Sequence, residues 1–250
     1  MVAAEDTRNT SHLLTYYGIS ANRLLALHQH NERGAAEKII ALLQQGQAVA
    51  LVTDAGTPAV SDPGAVLVQE VLAAGFRVIP IPGASAAVAA LSASGFTAPH
   101  FLFYGFLPNK SGARCTVLQD LIEYPYSLVF YEAPHRILES VADLQTVFGD
   151  EREIVLAREL TKLFENIHRC KLGEAMAWLH SDPNNQRGEF VLLVAGAAVR
   201  QGGLCQEAEK TLALLLEELP LKQAVQLAVK ITGENKNVLY QRALEIKDSN

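Results

Sequence analysis

The run A-V-A-L-V-T at residues 48–53 is apolar up to its last position, and a loop rich in acids and turn formers follows it at once: D-A-G-T-P-A-V-S-D-P-G, residues 54–64. Six residues with no polar face make a strand covered on both sides, as in a parallel sheet with helices above and below it. Such a strand needs neighbours of the same kind, and the chain supplies them. A strand at 23–27 leads to a helix at 35–46 that stops on Gly46. A helix at 65–75 stops on Gly75, a strand follows at 77–81, and a helix of small residues at 84–95 closes on Gly95. Strand, turn and helix in repetition predict an α/β lobe built on a mainly parallel sheet.

From F-L-F-Y-G-F-L-P (101–108) the pattern changes, with an aromatic strand stopped by Pro108. A helix at 114–122, a strand at 127–131 and a helix at 137–148 follow. E-I-V-L-A-R-E-L and E-F-V-L-L-V-A-G supply further strands, with L-F-E-N-I-H-R an antiparallel partner between them. The expected organisation is an N-terminal lobe over 1–100 and a second α/β lobe over 101–198, meeting near 95–108. Residues 199–205 read as a linker, with paired glycines and no periodicity. Apolar residues then recur at helical spacing in segments broken at Pro220 and at 233–235, so 206–250 is a small helical unit. Its last two helices could form a helix-turn-helix decorated by Lys222, Lys230, Lys236 and Arg242, but the unit's charges nearly cancel, which favours a helical appendage for dimer contacts or lobe packing.

A net charge of −6 argues against general nucleic-acid binding, which draws its affinity from cations neutralising phosphates. A local patch remains open: residues 152–171 carry Arg152, Arg158, Lys162, Arg169 and Lys171 against Glu153, Glu159 and Glu165. The longest apolar runs are strand-sized and no basic-then-apolar leader opens the chain, so a cytoplasmic protein with no membrane partner is expected. Cys115, Cys170 and Cys205 are odd in number and far apart, which suits neither a disulfide framework nor a zinc site, and no metal is expected. His28 and His30 in L-H-Q-H-N-E read as a polar loop.

Ligands of open α/β sheets bind outside the carboxyl ends of the strands. Asp54 stands at such an end, and a carboxylate there can accept from a ribose hydroxyl or an amine. The same loop also suits a plain turn in which Asp62 caps the next helix. I-P-I-P-G-A-S-A-A (79–87) repeats the geometry, with Ser85 at a helix start and small residues that admit close backbone approach. Neither loop is a phosphate cradle of the G-x-G-x-x-G or Walker type, and no G-x-S-x-G elbow is present.

A-A-E-D-T-R-N-T, H-N-E, T-D-A-G-T-P-A-V-S-D-P-G, P-I-P-G-A-S-A-A-V-A-A-L-S-A-S-G, F-Y-G-F-L-P, F-Y-E-A-P-H-R, L-A-R-E-L-T-K-L-F-E and R-G-E-F-V-L-L-V occur in this order. Together they resemble the small-subunit ribosomal RNA methyltransferases of the tetrapyrrole-methylase-like (class III) family, from Ala3 to the end of the chain. The resemblance implies a two-lobed α/β fold with a small C-terminal helical unit. It implies S-adenosyl-L-methionine as methyl donor, bound between the lobes, and a cytidine ribose 2′-hydroxyl in the decoding region of 16S rRNA as acceptor. The acceptor would come as rRNA or as the 30S subunit, and the enzyme would be a homodimer. Carried over by motif, Asp54, Gly56 and Thr57 line the donor with Ser85 and Ala86, while Tyr131, Ala157 and Gly188 complete the pocket from the second lobe. A carboxylate is expected to orient or deprotonate the hydroxyl, with Asp6 or Glu5 as candidates; Asp6 equally suits the N-cap of a helix through S-H-L-L-T-Y-Y. Members of the family carry a strand, a P-x-G-N-type loop and a helix ahead of the segment matching 2–4, and weaker donor binding is the expectation where these are missing. Two other readings stay open: a tetrapyrrole-type small-molecule acceptor, and a chain that binds RNA or protein without catalysis.

Overall fold

The computed structural model describes residues 1–21, 23–197, 204 and 206–248. Three short parallel strands form the first sheet: β1 (Val2–Ala4), β2 (Leu24–Ala26) and β3 (Ala50–Val52), in the order β2-β1-β3. Helices α1 (Thr7–Tyr16), α2 (Glu32–Gln44) and α3 (Ala65–Ala73) connect and cover them. Ala3, Leu27, Ala35, Ile39, Leu67 and Val71 are buried together as the core of this lobe.

The expected strand at 77–81 does not form. The segment pairs with nothing among the described residues, and Ile79 and Ile81 are 60% and 81% exposed. Strand β3 has β1 as its only described neighbour, so its other edge is not paired with this segment. Strand composition alone does not make a strand, which needs a partner ladder to satisfy its backbone.

The second sheet has five strands in the order β4-β5-β8-β6-β7. Strand β4 (Phe101–Phe106) lies parallel to β5 (Ser127–Glu132); β6 (Glu153–Arg158), β7 (Asn166–Lys171) and β8 (Phe190–Val194) complete it with antiparallel pairings. Alternation sorts its side chains. Leu128, Phe130, Ile154, Leu156, Leu192 and Val194 face α5 (Ser111–Leu121), α6 (Ile137–Phe148) and α7 (Leu172–Ser181). Val129, Val155, Ala157, Val191 and Leu193 face α4 (Ala86–Ser94), whose Ala87 and Ala90 allow close packing.

The expected linker at 199–205 lies almost wholly outside the described residues. Beyond it, α8 (Gln206–Glu218), α9 (Leu221–Thr232) and α10 (Lys236–Asp248) pack around Leu212, Val225, Ala228 and Leu239. Gly233, in the left-handed region, ends α9 and turns the chain into α10. Arg242 is bound to Glu209 at 3.0 Å and Glu245 at 2.7 Å, so this cation joins α10 to α8. No described helix is long and apolar enough to cross a membrane.

Candidate active site

A cavity of about 230 Å³ lies between the loops of the first lobe and the second sheet. Ala55, Gly56, Thr57, Val60, Ser61 and Asp62 form one wall, and Ser85 and Ala86 lie beside them at the start of α4. Phe106, Tyr131, Leu160, Glu189, Phe190 and Val191 form the other. The loops after β3 and before α4 are tied by the Thr57 hydroxyl, which donates to the carbonyl of Ala84 at 3.2 Å. The Tyr131 hydroxyl accepts from the Ala87 amide at 3.3 Å and so joins the α4 N-terminus to β5. Ser85 makes no capping hydrogen bond, which leaves its hydroxyl to the cavity.

The loop holds its shape at some conformational cost. Ala59 (φ 69°) and Ser61 (φ 60°) occupy the left-handed region that non-glycine residues avoid. Such strain persists where neighbours over-determine it. Here the neighbour is Gly105 in β4, where the pairing with β5 shifts register; a β-carbon on that glycine would stand only 2.7 Å from Ser61 Oγ.

Across the cavity a second strained loop follows β6. Glu159 (φ 52°) and Thr161 (φ 66°) are left-handed, and Glu159 accepts from the Glu189 amide and from Lys162 Nζ, each at 2.9 Å. Lys162 also holds Glu189 at 2.9 Å, and Glu165 accepts from the Thr161 amide at 2.6 Å. These bonds hold the Glu159 carboxyl below its usual range and fix Leu160 in the cavity wall. The basic stretch at 152–171 is largely spent in such pairs: Arg169 binds Glu153, Lys171 binds Glu151, and Arg152 donates to the carbonyls of Ala195 and Ile122.

Of the residues expected to hold the donor, Gly56, Thr57, Ser85, Ala86 and Tyr131 come together in the cavity wall. Asp54 does not line it. Its carboxylate accepts from the Asp6 amide (3.3 Å) and from Asn9 Nδ2 (2.9 Å) at the start of α1. Ala157 is fully buried beneath α4, and Gly188 stands one residue before the cavity with its backbone at φ 88° against Glu159. Glu5 accepts from the Asp54 amide at 3.2 Å. Asp6 is the N-cap of α1, accepting from the Arg8 amide at 2.8 Å, and its hydrogen bonds with Arg8 hold the carboxyl down at about 2.

Asp62 faces the cavity instead. Helix α3 begins behind it with Gly64 as N-cap, and the Val66 amide there is taken by Glu32 Oε2 at 3.0 Å. Desolvation, with the charges of Glu5 and Asp54, raises the Asp62 carboxyl from 3.8 to about 6. Phe106, Leu160 and Glu189 all fall within motifs read in the sequence, but Phe106 depends on strand register, and Leu160 and Glu189 lie in the loops after β6 and before β8, where no alternation tells which side chain turns inward.

The sequence profile of the Tetrapyrrole (Corrin/Porphyrin) Methylases matches residues 1–176, and that of the RsmI C-terminal HTH domain matches residues 204–247. The protein named ribosomal RNA small subunit methyltransferase I from Pseudomonas aeruginosa is 52% identical over 247 residues, spanning 98% of this chain and 87% of its own length. Its namesake from Escherichia coli O157:H7 is 50% identical over 245 residues, spanning 98% and 85%. Among solved structures, the methyltransferase CobJ superposes with a TM-score of 0.55 at 21% identity, over 80% of this chain and 95% of that one. The cobalt precorrin-4 methyltransferase CbiF gives 0.54 at 16% identity, over 78% and 82%. At these identities the structural likeness is one of fold.

Proposed function

This chain belongs to the tetrapyrrole (corrin/porphyrin) methylases, in the branch of the small-subunit ribosomal RNA methyltransferases, and on that premise we propose that it methylates the ribose 2′-hydroxyl of a cytidine in the decoding region of 16S rRNA, with S-adenosylmethionine as donor. The observation that supports this reading is the cavity: the D-A-G-T-P loop, the P-G-A-S-A turn and the ends of β4, β5 and β8 converge on one space.

The lining fits such a donor chemically. Ala55, Gly56, Ser85 and Ala86 are small enough for a ligand to lie against the backbone, and Val60, Phe106 and Leu160 offer apolar surface. Bound there, the donor supplies a methyl group already activated on a sulfonium, so the protein's work is alignment and exclusion of water. Thr57 and Ser85 would orient its polar groups, and Tyr131 would hold the α4 N-terminus against the second lobe.

The reading also takes the protein as a cytoplasmic homodimer that acts on the 30S subunit. The exposed Phe101 and Tyr104 on edge strand β4, with Tyr124 and Tyr126 nearby, offer apolar surface for pairing. The test incubates labelled S-adenosylmethionine with unmodified small subunits, naked 16S rRNA and buffer, then maps the label. Label on a cytidine ribose in the first arm is the expected outcome. Label on a base, or on none of the three, overturns the reading.

A further inference from the structure

Several carboxylates stand at the first-lobe side of the cavity, and all but one are engaged. Glu5 receives the Asp54 amide, Asp54 receives the Asp6 amide and Asn9, and Asp6 holds Arg8. Asp62 lies in the cavity wall, and no hydrogen bond holds its carboxylate among the described residues. The task that would have occupied it, capping α3, belongs to Glu32. Asp62 sits between Ser61 at φ 60° and Pro63, with Gly64 at φ 128° beyond, and Ser61 Oγ is 2.7 Å from where a Gly105 β-carbon would stand. A partly buried carboxylate at the cavity wall with no hydrogen-bond partner among the described residues is available for chemistry there.

We propose that Asp62, rather than Asp6 or Glu5, accepts the proton of the acceptor hydroxyl and is a catalytic residue of methyl transfer, an inference that rests on the function proposed above. The ribose oxygen forms its bond to the methyl carbon as the carbon–sulfur bond breaks. The sulfonium leaves as a neutral thioether, and the hydroxyl proton passes to an Asp62 carboxylate oxygen and then to water. A hydroxyl is a poor nucleophile until its proton has somewhere to go, and a positioned base supplies roughly 10²–10⁴-fold. The raised carboxyl is a stronger base than an ordinary aspartate, yet it is largely ionised at neutral pH. The titratable groups that face it are Glu5 and Asp54 from the ends of β1 and β3, and Tyr131 and Glu189 across the cavity; Glu189 is neutralised by Lys162.

The test uses the full chain with unmodified small subunits, in single turnover, beside calorimetry with S-adenosylhomocysteine and a carbon-13 NMR titration of the Asp62 carboxyl. In the wild type the rate is expected to rise with pH and level off above a midpoint near 6, the value at which the carboxyl itself titrates. Asp62→Asn is expected to slow transfer by roughly 100-fold or more while binding the thioether product at wild-type affinity. An unchanged rate in that variant, or lost product affinity, overturns the proposal, the latter by making Asp62 a donor ligand. If the variant does not fold, a wild-type carboxyl titrating in the ordinary range overturns it just as well. Wild-type protein that puts no label on ribose defeats the function reading and this one together; ribose label at equal rates in both proteins defeats this one alone.

Discussion

A β-carbon added at Gly105 would stand 2.7 Å from Ser61 Oγ. The contact joins the two lobes at the cavity, and both backbones are left-handed there, Gly105 at φ 83° and Ser61 at φ 60°. Gly105→Ala therefore meets a steric clash and an unfavourable backbone region at once. The variant is expected to lose about 1–3 kcal/mol in denaturant melts and to bind S-adenosylhomocysteine more weakly. Ser61→Ala in the same chain removes the clash but not the backbone strain. The double variant should recover part of the loss, and a strictly additive cycle would show that the contact is not made.

Asp62→Asn is expected to stabilise the protein at high pH. The folded carboxyl titrates at about 6 against an ordinary 3.8, so between these values the folded chain binds more protons than the unfolded one. Stability then falls as pH rises through that window, and the full cost is present above it. The carboxylate is only partly buried, and solvent screening discounts the cost to about 1 kcal/mol. The amide should raise the melting temperature at pH 8 and make no difference at pH 4. A stabilised but slower variant is the usual exchange between stability and activity at a working site.

These two residues show what was legible in the sequence and what was not. Glycine, proline and aspartate after apolar strands marked the loops of the cavity, because ligands meet α/β sheets where strands end. Which acid faces the cavity was not legible. It depends on Glu32 reaching Val66 across 34 positions, and on α1 claiming Asp54 through Asn9. Ala157 is expected in the pocket by resemblance to the family motif. It shares a sheet face with its ladder partner Val191, which reaches the cavity wall, but Ala157 itself is fully buried against the α4 cluster. The segment 77–81 has strand composition, but a strand exists only beside another, and no such neighbour is described.

The buried guanidinium of Arg114 gives a third expectation. Its Nε donates to Asp143 at 2.7 Å, while Nη1 donates to the carbonyls of Pro108 and Asn109 at 3.2 and 3.4 Å. Arg136 grips the same loop through the Leu107 carbonyl and Asn109 Oδ1, each at 2.6 Å. The two arginines thereby fix the turn that follows Phe106 in the cavity wall. Asp143→Ala leaves a fully buried cation without its main counter-charge and should cost about 3–5 kcal/mol in chemical denaturation. Replacing Arg114 by Met in that background should return part of this loss, since the uncompensated charge goes with it.

Asp6→Asn should leave single-turnover methylation near the wild-type rate. The Asp6 carboxylate is bound to Arg8 and to the first turn of α1, and asparagine caps helices as well as aspartate does. The same exchange removes the charge that holds the Arg8 guanidinium. Any small effect should therefore fade in high salt. A loss comparable to that expected for Asp62→Asn would move the proton acceptor back to the α1 N-terminus.

Gly188→Ala tests the second-lobe side of the cavity. Gly188 sits at φ 88°, and a β-carbon there would fall on the Glu159 side chain. Glu159 cannot move without giving up the Glu189 amide and Lys162, the bonds that hold Leu160 in the wall. The expected result is a loss of S-adenosylhomocysteine affinity of about tenfold, roughly 1.4 kcal/mol. The pH dependence separates this route from simple backbone strain. The Glu159 carboxyl is held below its ordinary 4.5, so its contribution to stability is present above that value and is lost as pH falls through the lowered one. The difference in melting temperature between wild type and Gly188→Ala should narrow at low pH, where the wild type has lost the same bonds. A difference that holds constant down to acid pH would assign the defect to the backbone of residue 188 alone.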